Sequence, residues 1–265
     1  MEQWPSSSVG SPPVRLGAGR NAVADYLHHS KRPWHVLLQL LPAIVLYELG
    51  TLIYFSSGEA IFAQRLLADV FHALGVPGLH LPAVLLVGVL LIWQFLSGES
   101  WRPRWPIVVG MFFESWLLAL PVVVIALIVS GGLTAAVQTD VSVATTSSLP
   151  QSWPALLTVA IGAGIYEEML FRFILILAIH AIVVDALRLR SFTGYAIAIA
   201  ISSLMFAFYH NPFAAGEGGW GRMIFYTLAG VYFGLLFVAR GLGIAAGAHA
   251  CYDVIALVLV PSAAG

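Results

Sequence analysis

Seven long apolar segments follow one another along the chain and predict an all-α membrane protein. Each approaches or exceeds the length that a helix needs to cross a hydrocarbon layer of about 30 Å. The predicted spans cover residues 35–55, 79–96, 107–129, 156–184, 195–209, 223–239 and 243–260. We therefore expect a polytopic transmembrane helical bundle of about seven membrane helices, with an eighth left open.

The segments between these spans divide the chain further. In residues 59–74, apolar positions alternate with charged ones, a pattern that favours an interfacial amphipathic helix over a span. Residues 1–33 are rich in Pro, Ser, Gly and charge and hold no apolar signal-peptide core, so we expect a cytoplasmic tail with a short surface helix, and an uncleaved first span. This gives a tail at 1–33, membrane helices with an interfacial helix and an external loop at 34–150, and a membrane core at 151–262.

Composition and charge support this interpretation and assign a direction. The chain is 60% apolar and only 9% charged, which excludes an ordinary soluble protein. If the N-terminus is cytoplasmic, the cytoplasmic segments hold nine of the twelve Lys and Arg residues. We therefore expect a multi-pass protein of the cell (inner) membrane with an external C-terminus. The net charge of −1 gives no reason to expect nucleic acid as a partner, and the lipid bilayer is the expected surrounding.

Three ionisable residues lie inside the fourth predicted span: Glu167, Glu168 and Arg172. A charged residue at the centre of a membrane helix costs about 2.5–3.5 kcal/mol, so their presence needs a reason. Glu168 and Arg172 are four residues apart and share a helix face, whereas Glu167 points about 100° away. The group is therefore either a structural polar knot or a site with one compensated carboxylate and one carboxylate available as a general base.

Later segments add imidazoles at membrane depth. The sequence from Phe206 to His210 ends the fifth predicted span, and His249 and Asp253 lie four residues apart in the last one. A single intramembrane His is usually a packing residue, but two of them that follow an acidic pair on three separate helices favour a functional site.

Small residues are expected to bring helices close together. Gly162 and Gly164 lie one turn before the acidic pair and permit close approach of a neighbouring helix or of a substrate backbone. Gly230 and Gly234 form a G-x-x-x-G face, which favours tight helix packing.

With these residues in view, the chain resembles the CAAX protease and bacteriocin-processing (CPBP) family of intramembrane endopeptidases. The resemblance rests on E-E-x-x-x-R at Glu167 to Arg172, F-x-x-x-H at Phe206 to His210, and H-x-x-x-N/D at His249 to Asp253. It covers about residues 150–260 and makes 151–262 the catalytic, CPBP-like core.

The resemblance implies hydrolysis of a peptide bond of a membrane-associated protein or peptide by an activated water. Carried over to this chain, Glu167 is the general base and His210 positions the water. Glu168, held by Arg172, shapes the site or shares the base role. His249 and Asp253 stabilise the oxyanion, although many relatives have Asn at the position of Asp253, and an ionised Asp is a poor donor. Orientation of His249, or a protonated Asp253, fits this position better.

Alternatives remain open at this point. Zinc held by Glu167, His210 and His249 is a second mechanism, although no H-E-x-x-H helix is present and no cofactor is required. A proton- or ion-coupled transporter, and a non-catalytic protein of the bacteriocin-immunity type, also accommodate intramembrane Glu and His residues.

Two further expectations concern depth in the membrane. If both helices start at the interface, His249 lies about 14 Å from Arg240 but His210 lies about 28 Å from Ser191, so the two imidazoles are not level. Two explanations are possible. The chain around 185–190 continues as a helix beyond the bilayer, or the Gly-rich stretch at 241–247 is re-entrant. Glu48 and Glu114 are expected to be buried, protonated and hydrogen-bonded, or to line a cavity that leads to the site.

Overall fold

A computed structural model describes residues 18–55, 61–130, 152–213 and 219–259 as a bundle of helices. The tail before residue 18 and the external loop expected after the third span, at 131–151, lie outside the described residues. The nine helices of the described residues are α1 (Ala18–His29), α2 (Pro33–Tyr54), α3 (Phe62–Ala73), α4 (Leu81–Ser97), α5 (Trp105–Ser130), α6 (Trp153–Ala186), α7 (Ser191–Tyr209), α8 (Gly219–Arg240) and α9 (Leu242–Asp253, continued as a π-helix over Val254–Leu259).

The described helices confirm a polytopic membrane bundle. Six of them, α2 and α5–α9, are long and apolar enough to cross a membrane, and α4 is apolar but only 17 residues long, or about 26 Å. Two contacts show that α4 still runs antiparallel to α2 over most of its length. Gln94 near its end accepts a hydrogen bond from the backbone N–H of Trp34, and His80 before its start contacts Glu48. Counting α4, seven helices cross the bundle, and the chain is an integral multi-pass membrane protein.

Successive membrane helices run in opposite directions, and most Lys and Arg residues lie at one end of the bundle. We call the end where α2, α5, α7 and α9 begin the basic end, because it holds most of the described Lys and Arg residues. They are Lys31, Arg32, Arg102, Arg104, Arg188, Arg190 and Arg240. Arg65 and Arg222 lie at the opposite end.

Helix α6 is longer than a membrane span requires. It is continuous over 34 residues, or about 51 Å, which exceeds the 30 Å hydrocarbon thickness. The helix ends at Ala186, so only the first two residues of the stretch 185–190 are helical, and the expected continuation of the helix through this stretch is wrong. From Leu242 onward, the Gly-rich stretch at 241–247 belongs to the regular helix α9, not to a re-entrant loop.

Part of α6 is a π-helix, at Met169–Ile176, directly after the acidic pair. A π-helix widens the turn and changes which backbone carbonyls find partners within the helix. The carbonyl of Phe171 accepts a hydrogen bond from Ser202 of α7 at 2.7 Å. A neighbouring helix thus supplies a donor to the altered turn, as a membrane interior requires.

Helix α3 is the amphipathic segment expected at 59–74. It begins at Phe62, is 12 residues long and packs against α4 and α6 through buried residues that include Ala63, Gln64 and Leu67. Its opposite face exposes Phe62, Leu66 and Val70, one turn apart. An apolar exposed face on a short helix suits the membrane interface.

Glu114 is not the protonated carboxyl group expected from the sequence. It forms a two-pronged ion pair with Arg240, with both N–O distances at 2.6 Å, and it accepts a hydrogen bond from Tyr26 of α1. Arg240 also donates to Ser30 at 3.1 Å. Because a guanidinium forked onto a carboxylate stabilises its ionised form, this cluster is a charged clamp between α1, α5 and α8.

The close helix approaches expected at glycines are present. A Cβ atom added to Gly164 would lie 2.5 Å from the backbone nitrogen of Ala250 in α9, and one added to Gly162 would lie 2.1 Å from the Tyr47 ring in α2. A Cβ atom added to Gly230 would lie 2.9 Å from the backbone of Ser203 in α7. The glycines therefore set the spacing of α6 and α8 from their neighbours.

We predict that Gly164→Ala destabilises the protein by about 1–3 kcal/mol, because the added methyl group meets backbone that cannot rotate away. The free energy of unfolding in detergent micelles measures the effect. Gly88→Ala in α4 is the matched control, since an added Cβ there has nothing within 4 Å. Equal stability of the two variants would contradict the packing described for α6 and α9.

Candidate active site

The two acidic residues of α6 lie in the centre of the bundle with different partners. Glu168 is fully buried and its Oε1 contacts Arg172 at 2.8 Å and the Nδ1 of His249 at 2.7 Å. Arg172 also donates to the carbonyl of Gly230 at 3.4 Å, and its guanidinium carbon lies 4.3 Å from the centre of the Phe206 ring. Glu168 therefore connects the guanidinium of α6 to the imidazole of α9.

Glu167 faces the other side of the same centre. Its Oε2 lies 3.6 Å from the Nε2 of His210 and 3.8 Å from the Nε2 of His249. These separations exceed a direct hydrogen bond, and a single small molecule could contact all three atoms. Helices α6, α7 and α9 thus bring together the carboxylate and two imidazoles that the sequence singled out.

The orientation of each imidazole is fixed by its other nitrogen and by a ring beside it. The Nδ1 of His210 lies 2.8 Å from the carbonyl of Phe206, which can only accept a hydrogen bond, so this nitrogen carries the proton. In a neutral ring, Nε2 is then free of hydrogen and accepts. The His210 ring stacks on Tyr226 at 4.2 Å, and the His249 ring stacks on Phe233 at 4.6 Å.

A small cavity lies between these groups. Its volume, about 20 Å³, suffices for about one water molecule. Besides the carboxylate and the imidazoles, aromatic and small apolar side chains from four helices form its wall, and Tyr209, Tyr226, Tyr252 and Asp253 add polar atoms. The site is thus a small cavity whose wall combines polar and apolar side chains.

Asp253 lies at the cavity side of His249, near the same ring nitrogen as Glu167. Its Oδ2 is 3.6 Å from the Nε2 of His249, one helical turn away, and the side chain is buried. Since Nδ1 of His249 already contacts Glu168, the ring lies between two carboxylates. Whether Asp253 orients His249 or acts in its protonated form stays a prediction.

Sequence reasoning missed the contribution of α8, to which it assigned packing alone. Tyr226, Ala229 and Phe233 all line the cavity, and the two rings stack on the two imidazoles. They are spaced by three and four residues and therefore share one helix face. The helical spacing of these aromatic and small residues, between the two histidine motifs, is the sequence signal that could have identified them as part of the site.

The metal alternative has no further support from the geometry. Among residues 18–55, 61–130, 152–213 and 219–259, no group of three or more His, Cys, Asp and Glu side chains is arranged to hold a metal ion. Zinc binding by Glu167, His210 and His249 therefore stays a hypothesis, which the chelator experiment below tests.

The part of the chain that holds the site is similar to a known protein family. Residues 149–255 match the family described as type II CAAX prenyl endopeptidase Rce1-like, and this range contains all six candidate residues. No curated protein and no solved structure matches the chain. The match confirms the resemblance to the CPBP family over residues 149–255.

Proposed function

We propose that this protein hydrolyses a peptide bond of a membrane-associated substrate with a water molecule that Glu167 activates. One observation carries the proposal: the Oε2 of Glu167 and the Nε2 atoms of His210 and His249 converge within 3.8 Å at a cavity of water size. The match of residues 149–255 to an endopeptidase family supports the reaction type.

Glu167 is the proposed general base. A water that donates one hydrogen to Glu167 and the other to the Nε2 of His210 presents its lone pairs to a substrate carbonyl carbon. Glu168 is less suited to this role, because its Oε1 is engaged by Arg172 and by His249. After attack, the proton held by Glu167 passes to the leaving amine, so the base is regenerated as the peptide bond breaks.

His249 is the proposed donor to the oxyanion. Because its Nδ1 contacts Glu168, it can donate through Nε2 only as an imidazolium, which donates from both nitrogens. In that form each of the carboxylates of Glu168 and Asp253, at 2.7 and 3.6 Å from the two ring nitrogens, attracts the charge of the ring. Asp253 thus supports oxyanion stabilisation through the charge of His249, and it needs no hydrogen of its own.

The proposed substrate class is based on the matched family. The matched family acts as a CAAX prenyl endopeptidase, so we propose a protein or peptide with a lipidated C-terminal segment, from which a short C-terminal peptide is released.

The excess of Lys and Arg at the basic end supports an orientation in the membrane. We propose that the protein lies in the inner membrane of the cell, with its N-terminus and its basic end in the cytoplasm.

Cleavage of defined peptides tests the proposal. Purified protein in liposomes is incubated with a C-terminal peptide in farnesylated and unmodified forms, and with an unrelated transmembrane peptide. Mass spectrometry identifies the products. Release of a C-terminal fragment from the farnesylated peptide alone supports the substrate class, and preferred cleavage of the transmembrane peptide would contradict it.

A chelator experiment separates the two mechanisms. We predict that a zinc chelator leaves the cleavage rate unchanged, whereas His210→Ala lowers it by about 10²–10³-fold through loss of the group that positions the water. The rate is measured on the same peptide, with metal content determined in parallel. Loss of activity with chelator, restored by added zinc, would assign Glu167 and the histidines to metal binding.

A further inference from the structure

A second cavity lies at the basic end, apart from the active site. It has a volume of about 440 Å³, within the range of small-molecule sites, and it opens to the surface. The end of α1, the turn into α2 and the segment after α4 form its wall. Its lining includes Leu27, His28, Lys31, Arg32, Ser97 and Glu99.

The wall is held in place by a buried side chain. Gln94 of α4 accepts a hydrogen bond from the N–H of Trp34 at 3.1 Å and donates to the carbonyl of Glu99 at 3.0 Å. It thereby ties the segment after α4 to the start of α2. Such a preformed wall lowers the ordering cost of binding.

The lining carries two cations against one carboxylate. Arg32 bridges the two sides of the cavity, with one nitrogen 2.9 Å from Glu99 and another 3.0 Å from His28. Lys31 is exposed and forms no ion pair or hydrogen bond with the residues that the structure describes. The ammonium group of Lys31 is therefore an available positive charge beside a guanidinium already oriented by its partners.

The surroundings place this cavity at the level of lipid headgroups. The rings of Trp34 and Trp101 contact each other at 5.3 Å beside it, and Trp93 and Trp105 are exposed nearby in the chain. Tryptophans concentrate at the membrane–water interface. Leu27 in the lining is 40% exposed, and Leu96, which precedes Ser97 of the lining in the chain, is 75% exposed, so exposed apolar side chains lie near the cavity.

From this combination we propose that the cavity binds the phosphodiester headgroup of an anionic phospholipid, with Lys31 and Arg32 at the phosphate. Basic pockets at this level of a membrane protein suit such headgroups. The exposed leucines give the acyl chains a surface that a soluble phosphate compound would not use. Glu99 competes with the phosphate for Arg32, so it weakens binding.

Lipid titration tests the site. Purified protein in a neutral detergent is titrated with phosphatidylglycerol, phosphatidylcholine or inorganic phosphate, and thermal unfolding is recorded, since a ligand of the folded state raises the melting temperature. We expect a saturable increase with phosphatidylglycerol that neither other probe reproduces at the same concentration. An equal increase with inorganic phosphate would overturn the assignment to a lipid, and an equal increase with phosphatidylcholine would overturn the role of charge.

Three variants locate the effect. Lys31→Gln combined with Arg32→Gln should require at least tenfold more phosphatidylglycerol for the same increase, whereas Arg188→Gln combined with Arg190→Gln removes the same charge from the same end of the bundle and should bind as wild type. Glu99→Gln should bind at lower lipid concentration than wild type, which a folding defect cannot imitate. Identical titrations for wild type and all variants would overturn the proposal.

Discussion

Glu167→Gln is expected to lower the rate of peptide cleavage by about 10²–10⁴-fold, the usual contribution of a general base. The amide has nearly the shape of the carboxylate but cannot take a proton from water at neutral pH. Binding of substrate should change little, because the same volume fills the same wall of the cavity. Single-turnover cleavage with excess enzyme measures this step apart from product release.

Glu48→Gln is the matched control for this substitution. Glu48 also lies at membrane depth, but it accepts a hydrogen bond from Tyr166 at 2.6 Å and contacts His80, away from the cavity. Its variant should cleave at close to the wild-type rate. A Glu167→Gln variant that is folded and fully active would remove Glu167 from the mechanism.

Arg172→Met is expected to destabilise the protein by about 3–5 kcal/mol, the range for removing one partner of a buried ion pair. Arg172 and Glu168 are both fully buried, so the carboxylate would be left with His249 as its remaining contact among those described. The free energy of unfolding in detergent micelles, from a denaturant titration, measures the loss.

The double variant Glu168→Gln with Arg172→Met separates charge from packing. If the uncompensated carboxylate causes the loss, the double variant should be more stable than Arg172→Met alone. If the two substitutions destabilise additively, packing of the guanidinium on the Phe206 ring dominates instead.

The spans were predictable because hydropathy is a local property. The fourth predicted span, 156–184, differs by a few residues from α6, Trp153–Ala186, and α4 is shorter than the others but lies where it was expected. The partner of Glu114 was not predictable. Arg240 is 126 residues away, and a single sequence with no alignment contains no sign of which distant charge meets a buried carboxylate.

Within the site, the residues were predictable and their connections were not. The ion pair of Glu168 with Arg172 follows from helical spacing, and the structure has it. The contact of Glu168 with His249 depends on the close approach of α6 and α9 at Gly164, which is a tertiary property. The π-helix after Glu168 has no Gly or Pro within it to announce it in the sequence.

Isotope labelling tests the central claim, that Glu167 activates water and does not itself attack the peptide bond. Cleavage is run over many turnovers in water enriched in ¹⁸O, and both the released carboxylate and the peptide of α6 that contains Glu167 are analysed by mass spectrometry. Our account predicts ¹⁸O in the product and none in Glu167. Accumulation of ¹⁸O in the Glu167 side chain would indicate a covalent anhydride intermediate and contradict the account.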